Sequence, residues 1–156
     1  MPESIELKLV DEAATLALGA DLAAAAMRDE GAQCVIYLSG DLGAGKTTFA
    51  RGLLAGLGHH GRVPSPTYTL IEPYELGAWQ VFHIDLYRLG APGEVAELGI
   101  PELTGPATLL LIEWPERGAG ELPPADLLIA FELADPGRTV MLSACSGAGK
   151  ILISGL

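Results

Sequence analysis

A chain of 156 residues, 49% of them apolar, is long enough to bury one core and too apolar for a disordered polypeptide. Its net charge of −11, from 9 basic and 20 acidic residues with no basic stripe, argues against direct nucleic-acid binding by this chain alone. No apolar run approaches the ~18–20 residues of a membrane span, and Met1-Pro2-Glu3-Ser4-Ile5-Glu6 lacks the build of a secretory signal, so the expected location is the cytoplasm.

In chain order, Glu6 to Val10 reads as a short strand. Asp11 is a fitting N-cap for an Ala- and Leu-rich helix that runs to about Glu30-Gly31. That helix is expected to be structural, and its first turn, with Glu12, is a candidate wall for a nucleotide base. Cys34-Val35-Ile36-Tyr37-Leu38 is an unbroken apolar run, as in a strand buried on both faces.

Gly40-Asp41-Leu42-Gly43-Ala44-Gly45-Lys46-Thr47 then reads G-x-x-x-x-G-K-T, a phosphate-binding P-loop. Glycines let successive N–H groups curl inward around an anion, and the helix opening at Gly45-Lys46 turns its positive dipole end to the phosphates. Asp41, Leu42, Gly43, Ala44, Gly45, Lys46, Thr47 and Thr48 are the candidate nucleotide-binding residues. Lys46 supplies a mobile charge to the β- and γ-phosphates, and the Thr47 hydroxyl is placed to ligate Mg²⁺. Phe49, Leu53, Leu54 and Leu57 recur at helical spacing before Gly58, so strand, loop and helix stand in the order the motif needs.

Val63-Pro64-Ser65-Pro66-Thr67-Tyr68 follows a His59-His60 loop. Two prolines stiffen it and present the Ser65 and Thr67 hydroxyls, either as a switch that reports nucleotide state or as a rigid lead into the next strand. Tyr68 to Tyr74 and Trp79 to Leu86 read as a β-hairpin. Its second arm alternates, with His83, Asp85 and Tyr87 on one face and Phe82, Ile84 and Leu86 on the other. Asp85 is a candidate for the metal shell, for positioning water, or for a pair with Arg88.

Pro92 to Leu98 reads as a short helix and Pro101 to Pro106 as a loop. Leu109-Leu110-Leu111-Ile112-Glu113-Trp114 is a buried strand ending in an acid, the Walker B pattern, which points Glu113 at the Mg²⁺ site or at the attacking water. A buried carboxylate needs a partner, and a charge beyond the strand end is expected. Asp126 to Leu133 and Thr139 to Ala144 read as strands around the turn Asp135-Pro136-Gly137-Arg138. Ser146-Gly147-Ala148-Gly149-Lys150 imitates a P-loop, but Ala144 and Ile151 stand where Gly and Ser/Thr belong. It reads as a turn into a last strand, Ile151 to Ile153. Cys34 and Cys145 read as thiols in buried strands, and no Cys/His spacing suggests zinc.

Four stretches together resemble the bacterial TsaE (YjeE) family: the P-loop through Thr48; Ser65-Pro66-Thr67-Tyr68-Thr69-Leu70; His83-Ile84-Asp85-Leu86-Tyr87-Arg88-Leu89; and Ile112-Glu113-Trp114-Pro115-Glu116. The match runs from about Asp11 to Asp126. The resemblance implies a single α/β domain, a three-layer P-loop NTPase-like fold with a mixed parallel and antiparallel sheet flanked by helices. It implies ATP/ADP and Mg²⁺ binding and a weak, partner-dependent ATPase, with Lys46, Asp85 and Glu113 catalytic, Thr47 and Glu113 on the metal, and Ser65 and Thr67 as a switch. The implied partners are TsaB and TsaD, with tRNA reached through that complex during threonylcarbamoylation of adenosine 37. A departure is Ala91-Pro92-Gly93-Glu94, where the family often carries Asp-Pro-Glu-Glu.

Three rivals differ in legible ways. A Ras-like GTPase reads guanine through Asn-Lys-x-Asp, and this chain has no asparagine. A small-molecule kinase clamps its phosphoryl group with several arginines; the six here are scattered. A nucleotide sensor without turnover is separated poorly from a slow ATPase.

Overall fold

A computed structural model of the chain describes residues 3–29, 31–41, 43–64, 66 and 70–156. These form one seven-stranded sheet in the order β1-β7-β6-β2-β5-β4-β3. The strands are β1 (Ser4–Leu9), β2 (Cys34–Ser39), β3 (Ile71–Leu76), β4 (Trp79–Asp85), β5 (Thr108–Glu113), β6 (Leu127–Leu133) and β7 (Arg138–Ala144). The helices are α1 (Glu12–Met27), α2 (Lys46–Gly56), α3 (Pro92–Ala96) and α4 (Gly147–Ile153). The pairs β6–β2, β2–β5 and β5–β4 are parallel, while β1, β7 and β3 run antiparallel to their neighbours at the two edges.

The parallel centre is where the sequence is most continuously apolar, because helices cover both of its faces. Val35, Ile36, Leu38 and Leu109 to Ile112 are all fully buried. On one side α1, α2 and α4 close the larger core, into which α2 drives Phe49, Leu53 and Leu54. Phe49 meets Phe131 of β6 edge-on, with ring centroids 5.8 Å apart. On the other side Val95 of α3 and Ile100 pack with Val35, Ile84, Leu86, Leu110 and Ile112.

The α1–α2 crossing explains one glycine. A Cβ at Gly52 would stand 2.2 Å from the Leu16 carbonyl oxygen, so the two backbones meet only because the side chain is missing. That contact fixes α2, and with it the loop at its start. Asp11 caps α1 by accepting from the Ala14 N–H at 2.8 Å.

Several sequence expectations are corrected. Residues 147–153 form helix α4, not a turn and strand. The Ser146 hydroxyl caps the helix by accepting from the Gly149 N–H and itself donates to Asp126 Oδ1 at 2.6 Å, an N-cap signal hidden in the glycine repeat. Cys145 lies past the end of β7 and is exposed, whereas Cys34 is buried. The stretch expected as a loop at Pro101 to Pro106 is preceded and entered by a 3-10 turn, Ile100–Leu103. The first strand starts earlier, at Ser4, and α1 ends earlier, at Met27. The hairpin turn tightens to Gly77-Ala78, since Leu76 pairs directly with Trp79. Among the described residues no helix is long and apolar enough to cross a membrane.

Candidate functional site

The site forms where the parallel strands end. β2 delivers the loop 40–45 and α2 leaves from it. β4 ends on Asp85 and β5 on Glu113, and these two residues are register partners on adjacent strands. Open α/β sheets gather their chemistry along this carboxyl edge.

Gly45 is the N-cap of α2 with φ 113°, a left-handed conformation that only glycine adopts without strain. Lys46 is the first residue of the helix and is buried. Its ammonium donates to the Gly40 carbonyl and lies 3.8 Å from the centroid of the Trp114 ring. Burial holds the Lys46 amine below its ordinary pKa, against the pull of Glu113, Asp85, Glu116 and Asp41.

The two carboxylates are both buried and held differently. Asp85 Oδ1 accepts from the Tyr87 N–H at 2.9 Å, which turns the chain at the end of β4. Burial pushes the Asp85 carboxyl above its ordinary value, the Glu113 charge adds to the effect, and the Tyr87 N–H, His83 and Lys46 oppose it. Glu113 Oε2 is bound to His83 Nε2 at 2.6 Å. The partner expected beyond the strand end is thus an imidazole on the neighbouring strand, with the Lys46 charge nearby. Asp85 uses the Tyr87 backbone, rather than a side chain, as the partner of its Oδ1.

Trp114, next to Glu113, is in the left-handed region (φ 59°, ψ 50°), a strained conformation for a bulky side chain. Its ring packs on Tyr87, with centroids 5.0 Å apart, and on the Lys46 ammonium.

A cavity of about 220 Å³ opens here, lined by Gly43, Gly45, Lys46, Thr47, Thr48, Asp85, Tyr87, Glu113, Trp114 and Arg138. It unites most of the residues named from sequence. Ala44 is buried beneath the loop and lines, with Asp41, a second cavity of about 410 Å³ on the other side of the loop, toward Phe131 and Met141. Glu12 is not brought to either cavity: it is exposed and pairs with Arg51 at 2.6 Å. Leu42, Ser65 and Thr67 lie outside the described residues.

Among the described residues no group of three or more His, Cys, Asp or Glu could hold a metal by itself. The Thr47 hydroxyl, beside those of Thr48 and Tyr87, and the carboxylates of Glu113 and Asp85 line one cavity. That donor set is too sparse for a self-sufficient cage, but it fits Mg²⁺, a hard ion that takes one or two protein oxygens and completes its shell with phosphates and water.

Arg138 was not singled out from sequence. From the first position of β7 its Nε donates to the Ala44 carbonyl at 2.6 Å and its Nη2 to the Gly43 carbonyl at 3.3 Å. It ties the loop from a distant part of the chain. Nothing local marks it, since the turn Asp135 to Arg138 reads equally well as an ordinary hairpin. Trp114 and His83 stand in the sequence inside motif stretches, with nothing local to assign either a role at the site.

A phosphate loop between a central parallel strand and a helix, with acids at the ends of two neighbouring strands, defines a P-loop fold. The family profile "Threonylcarbamoyl adenosine biosynthesis protein TsaE" matches residues 9–140. The chain is 42% identical over 153 residues to the tRNA threonylcarbamoyladenosine biosynthesis protein TsaE of Haemophilus influenzae, covering 97% of each chain. It is 37% identical to the protein of that name from Bacillus subtilis, over 76% of this chain and 74% of that one. The crystal structure of Bacillus subtilis YdiB superposes with a TM-score of 0.74 at 30% identity, covering 99% of this chain and 95% of that one. The chain belongs to the TsaE family. The Haemophilus alignment extends well beyond Asp126, where the sequence motifs stop, and takes in the segment that carries Arg138.

Proposed function

We propose that this chain binds ATP with Mg²⁺, hydrolyses it slowly, and through that cycle supports threonylcarbamoylation of tRNA adenosine 37 in a complex with TsaB and TsaD. The convergence of Lys46, Thr47, Asp85 and Glu113 on one cavity at the mouth of the P-loop carries the reading. The names of its relatives place them in threonylcarbamoyladenosine biosynthesis and support the pathway.

In this reading the N–H groups of the loop and the start of α2 bind the phosphate oxygens. Lys46 leaves the Gly40 carbonyl and the Trp114 ring to neutralise charge at the β- and γ-phosphates. Thr47 and Glu113 would hold Mg²⁺, which supplies further neutralisation of the phosphate charge. Asp85 and Glu113 both face the space beside the γ-phosphate, and one of them orients the attacking water. Ser65 and Thr67 carry nucleotide state outward as a switch.

With a net charge of −11, this chain leaves tRNA to the partners in this reading. The test is ATP hydrolysis with Mg²⁺ by the chain alone and after addition of TsaB and TsaD. Slow turnover that changes with both partners is expected. Rapid turnover indifferent to them, or phosphorylation of a metabolite in their absence, would overturn the proposal.

A further inference from the structure

The buried pair of His83 and Glu113 has more order than packing requires. His83 is fully buried in the sheet, two residues below Asp85 on β4, and reaches diagonally to Glu113 at the end of β5. An ionised carboxylate only accepts, so the 2.6 Å contact means that His83 Nε2 carries the proton. The other ring nitrogen, Nδ1, is buried and has no partner among the described residues.

A core histidine that merely fills space gains nothing from leaving one nitrogen orphaned. Here the whole hydrogen-bonding capacity of the ring is spent on one oxygen of one acid. That acid lines the cavity, and Oε2 is taken from beneath, so Oε1 is the oxygen able to serve an ion or water. Leucines at 109, 110 and 111 leave β5 no other polar side chain in its central run with which to hold Glu113.

We infer that His83 is a positioning residue: its Nε2–H fixes the Glu113 carboxylate so that the free oxygen is presented to Mg²⁺ in the nucleotide complex. The inference rests on the Mg²⁺–ATP reading above and goes beyond it, since it assigns a role to a side chain that never meets the nucleotide. Hydrogen bonds behind a metal ligand orient it and tune its basicity.

The test compares wild type, His83→Leu and His83→Gln as full-length chains. Binding of a fluorescent ATP analogue is measured first in EDTA and then across a Mg²⁺ titration. In EDTA all three bind alike, which also shows that they fold. His83→Leu requires about 10-fold more Mg²⁺ or beyond for half-maximal enhancement of binding. His83→Gln, whose amide N–H donates from nearly the same point, recovers most of that loss.

Unchanged Mg²⁺ dependence in His83→Leu overturns the inference, as does a Gln variant no better than Leu. Should Leu fail to fold, His83→Asn replaces it, because its shorter amide fills part of the site without reaching Oε2. The readout needs no turnover. A wild type that binds Mg²⁺–ATP and never hydrolyses it sinks the ATPase reading, while the variants still decide the role of His83. A wild type indifferent to Mg²⁺ overturns both.

Discussion

Lys46 Nζ lies 3.8 Å from the centre of the Trp114 indole, so the P-loop lysine rests on the residue that follows the Walker B acid. Such a cation–π contact is worth ~0.5–2 kcal/mol, well below what an ammonium gains from two phosphate oxygens in a dry site. ATP binding should therefore draw Lys46 off the ring and leave Trp114 in a new environment. The other tryptophan, Trp79, is buried at the start of β4 and is replaced by Phe to isolate the signal. In the Trp79→Phe background, ATP is expected to shift Trp114 emission saturably. The shift should vanish in Lys46→Ala, which is expected to abolish ATP binding. A shift that survives Lys46→Ala would disconnect the ring from the lysine.

Glu113 should matter more for turnover than for affinity. In the proposed reading the loop N–H groups and Lys46 carry the phosphates, while Glu113 serves the ion and the water. Glu113→Gln preserves volume and can still accept from His83, so the fold is kept. Hydrolysis with Mg²⁺ is expected to fall by about 10²-fold or more, while ATP binding in EDTA stays near the wild-type value. Single-turnover hydrolysis alongside equilibrium binding separates the two. Normal turnover in the variant would remove Glu113 from the chemistry.

The central strands and the loop were legible in the sequence because their signals are local. The run from Cys34 to Leu38 is apolar on both faces, and the glycine and lysine spacing encodes a loop and helix start within eight residues. Strand-terminal acids at 85 and 113 were legible for the same reason. What the sequence hid depends on pairing between distant segments. His83 meets Glu113 only because β4 lies beside β5, and Arg138 meets the loop through a contact 94 residues apart in sequence. The helix 147–153 was missed because Gly147 and Gly149 weaken helix propensity. Tertiary packing overrides them there: Gly149 sits so close to the Asp126 carbonyl that a Cβ would stand 1.8 Å from its oxygen.

Asp85 gives a stability prediction whose sign follows from its environment. Burial raises its folded-state pKa above the unfolded one, with the Glu113 charge adding. The folded protein thus holds the Asp85 proton more tightly than the unfolded chain. This favours folding below the unfolded carboxylate pKa and is lost as pH rises through the raised value, so ionised Asp85 burdens the fold at neutral pH. Asp85→Asn keeps an Oδ1 to accept from the Tyr87 N–H and removes the charge. It should melt above wild type at pH 7.5, each kcal/mol gained appearing as ~2–4 °C for a domain of this size. The gap should close as pH falls through the carboxylate range, while turnover drops. Equal melting temperatures at pH 7.5 would show that Asp85 is not strained by its site.

Arg138 should act on affinity through the shape of the loop. Its two hydrogen bonds end on the carbonyls of Gly43 and Ala44, which turns those peptide groups so that their oxygens face the guanidinium. The Ala44 N–H is itself held by the Asp41 carbonyl at 3.1 Å, so both sides of the Gly43–Ala44 peptide are fixed and the arginine organises the loop before the nucleotide arrives. Charged hydrogen bonds of this kind are worth ~1.5–3 kcal/mol, and a comparable loss of preorganisation in Arg138→Ala corresponds to about 10–100-fold weaker nucleotide binding. Lysine is not expected to rescue it, because one ammonium cannot reproduce a planar fork on two carbonyls. Calorimetric titration of ATP into wild type, Arg138→Ala and Arg138→Lys checks this, with thermal melts to separate loop from fold. Wild-type affinity in Arg138→Ala would mean that the loop keeps its shape without the clamp.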